Sequence, residues 1–95
     1  MNSQKKDYAR LQALLEEQET FPLEFTYKFI GNDTPAFAAS IAAFERSHST
    51  LRPAGTRRNG AKHVAMTYQF TAPSAAVIIE IYRAIEKIED IIIVL

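Results

Sequence analysis

The chain has 95 residues, of which 47% are hydrophobic and 23% charged, and eleven Lys and Arg side chains balance eleven Asp and Glu. This composition is typical of one globular domain and excludes a disordered chain, a collagen-like chain and a globally basic nucleic-acid binder. Because the chain lacks cysteine, a run of about 18 apolar residues and a signal-peptide core, we expect a cytoplasmic protein without disulfides, thiolate metal sites or membrane spans.

The first segment, residues 1–20, is polar and predicts an amphipathic helical extension. Four apolar side chains recur at helical spacing and form one stripe: Tyr8, Leu11, Leu14 and Leu15. A proline pushes the residue before it toward an extended conformation, so Pro22 sets a limit on the helix. We expect the helix to end by Thr20.

Residues 23–30 alternate apolar and polar side chains, which predicts a strand with one buried face. The buried residues are Leu23, Phe25, Tyr27 and Phe29. The stretch from Gly31 to Asp33 predicts a turn. A helix then begins at Thr34, a good N-cap, and Pro35 fits the first helical position because no partner is needed there for a backbone N–H.

Two further strands follow this helix and form a hairpin. Residues 51–58 contain Pro53, which cannot donate to a ladder and therefore places this strand at a sheet edge. The Asn59-Gly60 dipeptide predicts a two-residue turn, which would set Arg57 opposite Lys62. The returning strand, residues 61–71, carries its apolar face on Val64, Met66, Tyr68 and Phe70.

The last helix begins near Ser74 and buries a stripe of isoleucines, and residues 91–95 form a short apolar strand. The core order β-α-β-β-α-β over residues 21–95, with right-handed crossovers, predicts a ferredoxin-like, two-layer α+β sandwich. Its four-stranded antiparallel sheet has the order 4-1-3-2, and both core helices cover one face.

The uncovered sheet face carries no aromatic side chain from the first and third strands. RNA-recognition modules of this topology stack bases on such aromatics, so the pattern argues against nucleic acid as a partner. With Ile91 facing the core, alternation points Ile92 and Val94 away from it, beside Ile30. An exposed apolar patch usually marks an interface. We expect the N-terminal helix or a second subunit to cover it.

The hairpin is locally basic and is a candidate patch for an anion or an acidic partner. The residues of this patch are Arg52, Arg57, Arg58 and Lys62. The alternative interpretation is a solvated hairpin tip whose charge discourages pairing at the sheet edge.

The loop before the first core helix is a candidate ligand loop, because helix N-termini can receive anions. The residues of this loop are Gly31, Asn32, Asp33 and Thr34. The alternative is an ordinary turn followed by a helix cap, since these residue types are favoured in both.

The sequence contains no evident catalytic or metal-binding constellation. His48 and His63 are the only histidines, and no carboxylate pair is suitably spaced to complete a metal site with them. We also find no nucleophile and base at recognisable spacing. We therefore expect no enzymatic activity, no metal and no cofactor.

Residues 21–31, Phe-Pro-Leu-Glu-Phe-Thr-Tyr-Lys-Phe-Ile-Gly, resemble the opening signature of the YbeD-like family, short bacterial proteins classed as a domain of unknown function. The C-terminal run from Ile81 to Leu95 resembles the end of that family. The resemblance covers residues 21–95 and implies an ACT-like version of the ferredoxin-like fold. ACT domains pair and often bind amino acids between subunits. In the hairpin between the second and third strands, only Gly60 matches the family pattern.

These observations predict a small non-enzymatic regulatory or protein-interaction module. It would act through the open sheet face and the last strand, on a partner protein or on a second copy of itself. The alternative is a small-molecule sensor that binds an amino acid or another small anion near the candidate loop and the basic hairpin. A third interpretation is an RNA-associated protein that uses the basic hairpin.

Overall fold

The computed structural model describes residues 7–95, with the side chain of Asn59 excepted, so residues 1–6 of the predicted extension lie outside it. Within this range the chain forms three helices and four strands. They are α1 (Tyr8–Gln18), β1 (Leu23–Asn32), α2 (Pro35–Ser47), β2 (Arg52–Asn59), β3 (His63–Ala72), α3 (Ala75–Glu86) and β4 (Ile91–Val94). None of the helices in residues 7–95 has the length and apolar character needed to cross a membrane.

The four strands form one antiparallel sheet in the order β2-β3-β1-β4. This confirms the predicted order 4-1-3-2 and the ferredoxin-like α+β arrangement. Pro53 lies in β2 at one edge of the sheet, where an imino nitrogen disrupts the ladder least. The prediction from Pro53 that its strand lies at a sheet edge is therefore confirmed.

Each helix begins at a residue whose side chain accepts a hydrogen bond from the backbone of the first turn. Thr34 Oγ1 accepts from the amide of Phe37 at 3.0 Å, and Ser74 Oγ accepts from the amide of Val77 at 3.3 Å. Such caps satisfy donors that have no partner inside the helix. The predicted starts of α2 and α3 are confirmed.

The core lies between the sheet and the helices and is rich in aromatic side chains. Its largest fully buried residues are Tyr27, Tyr68, Phe29, Ile78 and Ile85. The two buried tyrosine hydroxyls have partners, since Tyr27 donates to the carbonyl of Ile78 at 3.1 Å and Tyr68 donates to Glu45 at 2.6 Å. Burying large side chains in this way stabilises a small domain without leaving polar groups unsatisfied.

The hairpin differs from the prediction in the length of its loop. Asn59 pairs with His63, so three residues, 60–62, form the loop, and Gly60 adopts a positive φ of 78°. The predicted two-residue turn is therefore wrong. Arg57 lies opposite Ala65 rather than Lys62, and the like charges of Arg57 and Lys62 do not face each other across the ladder.

Strand β1 runs two residues further than predicted. Gly31 pairs with Val64 and Asn32 with His63, so the predicted turn at Gly31 is wrong. The ring of Phe37 lies directly against Gly31, and a Cβ atom at that position would overlap the ring. Glycine is needed here for the close approach of α2 to the sheet, and not for a turn.

A bulge in β4 changes which side chains face the helices. Val94 pairs with Phe29 and Ile93 with Ile30, but Ile91 pairs with Gly31, so Ile92 is an extra residue. Val94 therefore packs against the core beside Phe29, and Ile93 shares the open face with Ile30. The predicted outward position of Val94 is wrong, because one inserted residue reverses the alternation.

Helix α1 packs on α3 within the helical layer. Tyr8 is buried, its ring stacks on Tyr82 with centroids 5.6 Å apart, and its hydroxyl donates to Glu86 at 2.6 Å. The guanidinium of Arg83 lies 5.1 Å from the centre of the Tyr8 ring. Of the two predicted covers for the open face, α1 is thus excluded, since it binds on the opposite side of the sheet.

Candidate functional site

The open sheet face is built from the alternate residues of β1 and β3 that point away from the helices. In register, Thr26 lies beside Gln69, Lys28 beside Thr67, and Ile30 beside Ala65. The aromatic residues of these strands lie on the other face, as predicted: Phe25, Tyr27, Phe29, Tyr68 and Phe70. This face therefore offers no aromatic platform from β1 and β3 on which a base could stack.

Exposed apolar side chains are concentrated at one end of this face. In residues 7–95, the large hydrophobic side chains with substantial exposure are Leu14 (44%), Ile92 (49%), Ile93 (40%) and Leu95 (53%). Three of these four belong to β4 or directly follow it. Together with the half-buried Ile30 they form what we call the β4 patch: Ile30, Ile92, Ile93 and Leu95. Clustered exposure of this kind is typical of a surface that binds another molecule.

A shallow cleft of about 510 Å³ extends from the β4 patch across the open face. Ile30, Ala65 and Leu95 contribute apolar surface to it, and Lys28 and Arg57 contribute positive charge. Neither cation forms an ion pair with an acidic side chain of residues 7–95. The open face thus combines apolar surface with two cations available to a partner.

The structure does not bring the predicted basic patch together. By register, Arg52 and Arg57 lie on the open face, whereas Arg58 lies opposite Val64 on the helix-covered face. Arg52 forms an ion pair with Glu24 and Arg58 with Asp33. Lys62 lies in the hairpin loop, so the four residues do not share one surface.

The predicted ligand loop is a junction between three parts of the chain. The amide of Asn32 donates to the carbonyl of Asp90 at 2.9 Å, and the amide of Asp33 donates to the carbonyl of Lys62 at 2.8 Å. Thr34 Oγ1 also donates to the Asp90 carboxylate at 2.5 Å. Because Asp33 is paired with Arg58, a ligand at this loop would have to compete with bonds inside the chain.

A groove of about 330 Å³ lies next to this junction, between α2 and the β2–β3 hairpin. Its apolar residues are Phe37, Ala38, Ile41, Val64 and Met66, and its polar residues are Asp33, Thr34, Thr56 and Arg58. The groove itself was not predicted from the sequence, although Asp33, Thr34 and Arg58 belong to the loop and hairpin near which the small-molecule alternative places its ligand. Thr56 and Arg58 were the sequence signal for the groove. Both are polar residues that alternation places on the helix-covered side of β2, and α2 covers that edge strand only in part.

The two histidines occupy structural positions. His48 is the C-cap of α2; its Nδ1 lies 3.0 Å from the carbonyl oxygen of Phe44, and its ring packs on the Phe44 ring with centroids 4.7 Å apart. His63 is exposed at the start of β3, opposite Asn32. Across residues 7–95, no group of three or more His, Asp or Glu side chains is placed to hold a metal ion.

The fold and the open face define this protein as a ferredoxin-like α+β domain that has one helix-covered and one uncovered sheet face. Residues 16–95 match the family described as protein of unknown function (DUF493), and the chain belongs to that family. This confirms the YbeD-like resemblance. No curated protein and no solved structure matches the chain. The matched region begins near the end of α1, so most of that helix precedes it.

Proposed function

We propose that this protein is a non-enzymatic regulatory module that binds another polypeptide through its open sheet face and the free edge of β4. The observation that carries the proposal is the concentration of exposed apolar side chains at β4. Full burial of an exposed Ile or Leu side chain contributes roughly 1.5 to 3 kcal/mol, and these side chains, already about half buried, can gain about half of that. A partner that covers two or three of them gains enough to bind measurably.

The edge position of β4 supports binding by strand addition. Among the strands of residues 7–95, β4 pairs with β1 on one side and with none on the other. A partner strand on that side would form main-chain hydrogen bonds for affinity, and its alternate side chains would meet the β4 patch for specificity. Lys28, one strand inward from β4 on the open face, favours an acidic group in such a partner.

The contacts of the polar residues support a role without catalysis. His48 is held at the end of α2 by Phe44, and Thr34 and Asp33 bond to Asp90 and Arg58. These bonds connect parts of the fold, whereas a catalytic group must reach a substrate.

The test is selection of extended peptides from a displayed library on the immobilised protein. We expect peptides whose affinity falls at least tenfold for Ile93→Lys, because a lysine on the open face cannot be buried by an apolar strand. The matched control is Leu14→Lys, which makes the same change at an exposed residue of α1. If the selected peptides bind Ile93→Lys as well as the unmodified protein, or if no peptide binds and the chain does not associate with itself through Ile93, the proposal is wrong.

A second candidate function is the sensing of a small molecule, and the groove beside α2 favours it. An apolar group would lie against Ile41, Val64 and Met66, and an acidic head would compete with Asp33 for Arg58. A ligand at about 100 times its Kd stabilises the folded state by about 2.7 kcal/mol. Thermal shifts with amino acids and small carboxylic acids test this function.

For any acid that stabilises the protein, Ala38→Leu should reduce the thermal shift, because Ala38 lines the groove. Ala39→Leu is the matched control, since Ala39 is exposed on the same helix and is not part of the lining. Equal loss of the shift in both variants would place the ligand elsewhere.

A further inference from the structure

We infer that the polypeptide bound at β4 is a second copy of this chain, paired antiparallel through β4 so that two four-stranded sheets join into one of eight strands. The inference rests on the proposed function, because it names the partner of the same surface. It follows from three properties of β4: its chemistry compared with the other sheet edge, the direction of its backbone groups, and its lack of charge.

The two edges of the sheet differ in their ability to accept a strand. β2 carries Pro53, a bulge between Pro53 and Gly55, and the exposed Arg57, which are all features that discourage pairing. β4 also contains a bulge, at Ile92, but it has neither a proline nor a charged side chain. Self-association of β4 with β2 would produce an open-ended sheet, and β2 obstructs it. Pairing of β4 with β4 about a two-fold axis closes at two copies.

The hydrogen bonds of β4 indicate the register of this pairing. Leu95 donates its amide inward to the carbonyl of Lys28 at 2.8 Å. Backbone groups alternate in direction along an antiparallel strand, so the N–H and C=O of Val94 point to the free edge. A two-fold axis at Val94 lets the two Val94 residues exchange hydrogen bonds. Ile93 of each copy then lies opposite Leu95 of the other on the open face.

The charges near β4 permit this self-pairing. The side chains of residues 91–95 are uncharged, so no like-charged side chains meet across the axis. The nearest cation on the open face is Lys28, one strand inward. The two Lys28 residues of a dimer are three strand spacings apart, about 14 Å, which exceeds the screening length of roughly 8 Å at physiological salt. Their mutual repulsion is therefore weak.

The shortness of β4 sets the expected strength. In this register residues 93–95 of the two copies lie opposite each other, and two of them, Ile93 and Leu95, have exposed apolar side chains, so the interface is at the small end of the observed range. We therefore expect a dimer with a dissociation constant of about 1 to 100 μM, which corresponds to about −8 to −5.5 kcal/mol.

Sedimentation velocity of the full chain from about 1 μM to about 1 mM tests the inference over the range in which such a dimer forms. We expect a shift from monomer to dimer as the concentration rises. Ile93→Lys should raise the dissociation constant at least tenfold, and Leu14→Lys should leave it unchanged. A monomer at every concentration, a species larger than a dimer, or a dimer unaffected by Ile93→Lys would overturn the inference.

A charge exchange then tests the pairing itself. One double variant carries Ile93→Lys with Leu95→Lys, and the other carries Ile93→Glu with Leu95→Glu. Each should be monomeric alone, because like charges meet across the axis, and an equimolar mixture should form a one-to-one heterodimer. Circular dichroism establishes that both are folded. A mixture that stays monomeric would contradict β4-to-β4 pairing.

The two proposals can fail separately. If the unmodified chain is monomeric at about 1 mM but selected peptides still depend on Ile93, only the identity of the partner is wrong. If no peptide binds and no dimer forms, the proposed function is wrong as well. If the dimer forms through Ile93 but no peptide is selected, β4 accepts only its own copy.

Discussion

The two faces of one sheet differ in how completely their groups are satisfied. On the helix-covered face, Tyr27 and Tyr68 are fully buried and both hydroxyls have partners. On the open face, Ile93 and Leu95 are about half exposed, and the cations Lys28 and Arg57 have no acidic partner in residues 7–95. The first face stabilises the fold. The second carries exposed apolar side chains and cations that the fold of residues 7–95 leaves in contact with solvent.

This difference leads us to a general prediction about substitutions. Changes on the helix-covered face should lower the free energy of unfolding and leave the association of folded molecules as it is. Changes at the β4 patch should alter association and affect the stability of the monomer little. Three measurements, in order of decreasing expected effect, test this division.

The largest effect should come from high pH acting on the buried tyrosines. Burial raises the pKa of Tyr8, Tyr27 and Tyr68, and hydrogen bonds to Glu86 and Glu45 raise it further for Tyr8 and Tyr68. Above pH 10 the unfolded chain loses these protons while the folded chain keeps them, so stability is present below pH 10 and falls above it. Each tyrosine contributes a slope of about 1.4 kcal/mol per pH unit.

Urea unfolding at pH 8, 9, 10 and 11, with tyrosine absorbance at 295 nm, measures this dependence. We expect little change to pH 9 and a steep loss by pH 11, with phenolate appearing together with unfolding. Tyr27→Phe should reduce the slope, because one linked proton is removed. Phenolate that appears at pH 10 in a fully folded protein would show that these tyrosines are not protected by the helices.

A smaller effect should follow Gly31→Ala. The added methyl group would overlap the ring of Phe37, a buried residue of α2 that packs against the sheet. Overpacking of this kind typically costs about 1 to 3 kcal/mol, and about 1 kcal/mol lowers the Tm of a domain this size by roughly 4 to 8 °C. Differential scanning calorimetry measures the loss.

The cost should shrink in a Phe37→Leu background, since the smaller side chain leaves room for the methyl group. A double-mutant cycle with these two changes measures the interaction directly. An equal cost of Gly31→Ala in both backgrounds would mean that the ring of Phe37 is not the obstacle. Neither variant should change the dissociation constant of the dimer, because Gly31 faces the helices.

Alternation and capping residues sufficed to predict most of the fold. Leu23 to Phe29 alternate clearly, and Thr34 and Ser74 are strong N-caps, so the order of the elements and the core face of β1 follow from local chemistry. Residues 91–95 are all apolar and carry no alternation, so nothing local showed that Ile92 is inserted. That one residue exchanges the positions of Ile93 and Val94.

The candidate site was predictable only in part for the same reason. Ile30 belongs to a clearly alternating strand, and its outward position follows from the sequence. The face on which Arg58 lies depends on the length of the hairpin loop. The groove depends on how far α2 extends over the edge strand β2. Both are tertiary features that involve residues far apart in the chain, such as Phe37 and Val64.

The smallest effect should come from the ion pair between Arg52 and Glu24, at the end of the open face away from β4. Both side chains are about half exposed, and exposed ion pairs typically contribute about 0 to 1 kcal/mol. We expect Arg52→Ala to change the free energy of unfolding by less than about 0.5 kcal/mol, measured by urea titration. Glu24 keeps the hydrogen bond from the Thr71 hydroxyl at 2.8 Å.

The dissociation constant of the dimer should also stay the same in Arg52→Ala, since Arg52 pairs in register with Gln69 and not with a residue near β4. Ile93→Lys provides the contrast, because it should weaken association with an equally small effect on monomer stability. If Arg52→Ala weakened association as strongly as Ile93→Lys, the binding surface would extend over the whole open face. The interface would then be larger than the strand pairing at β4.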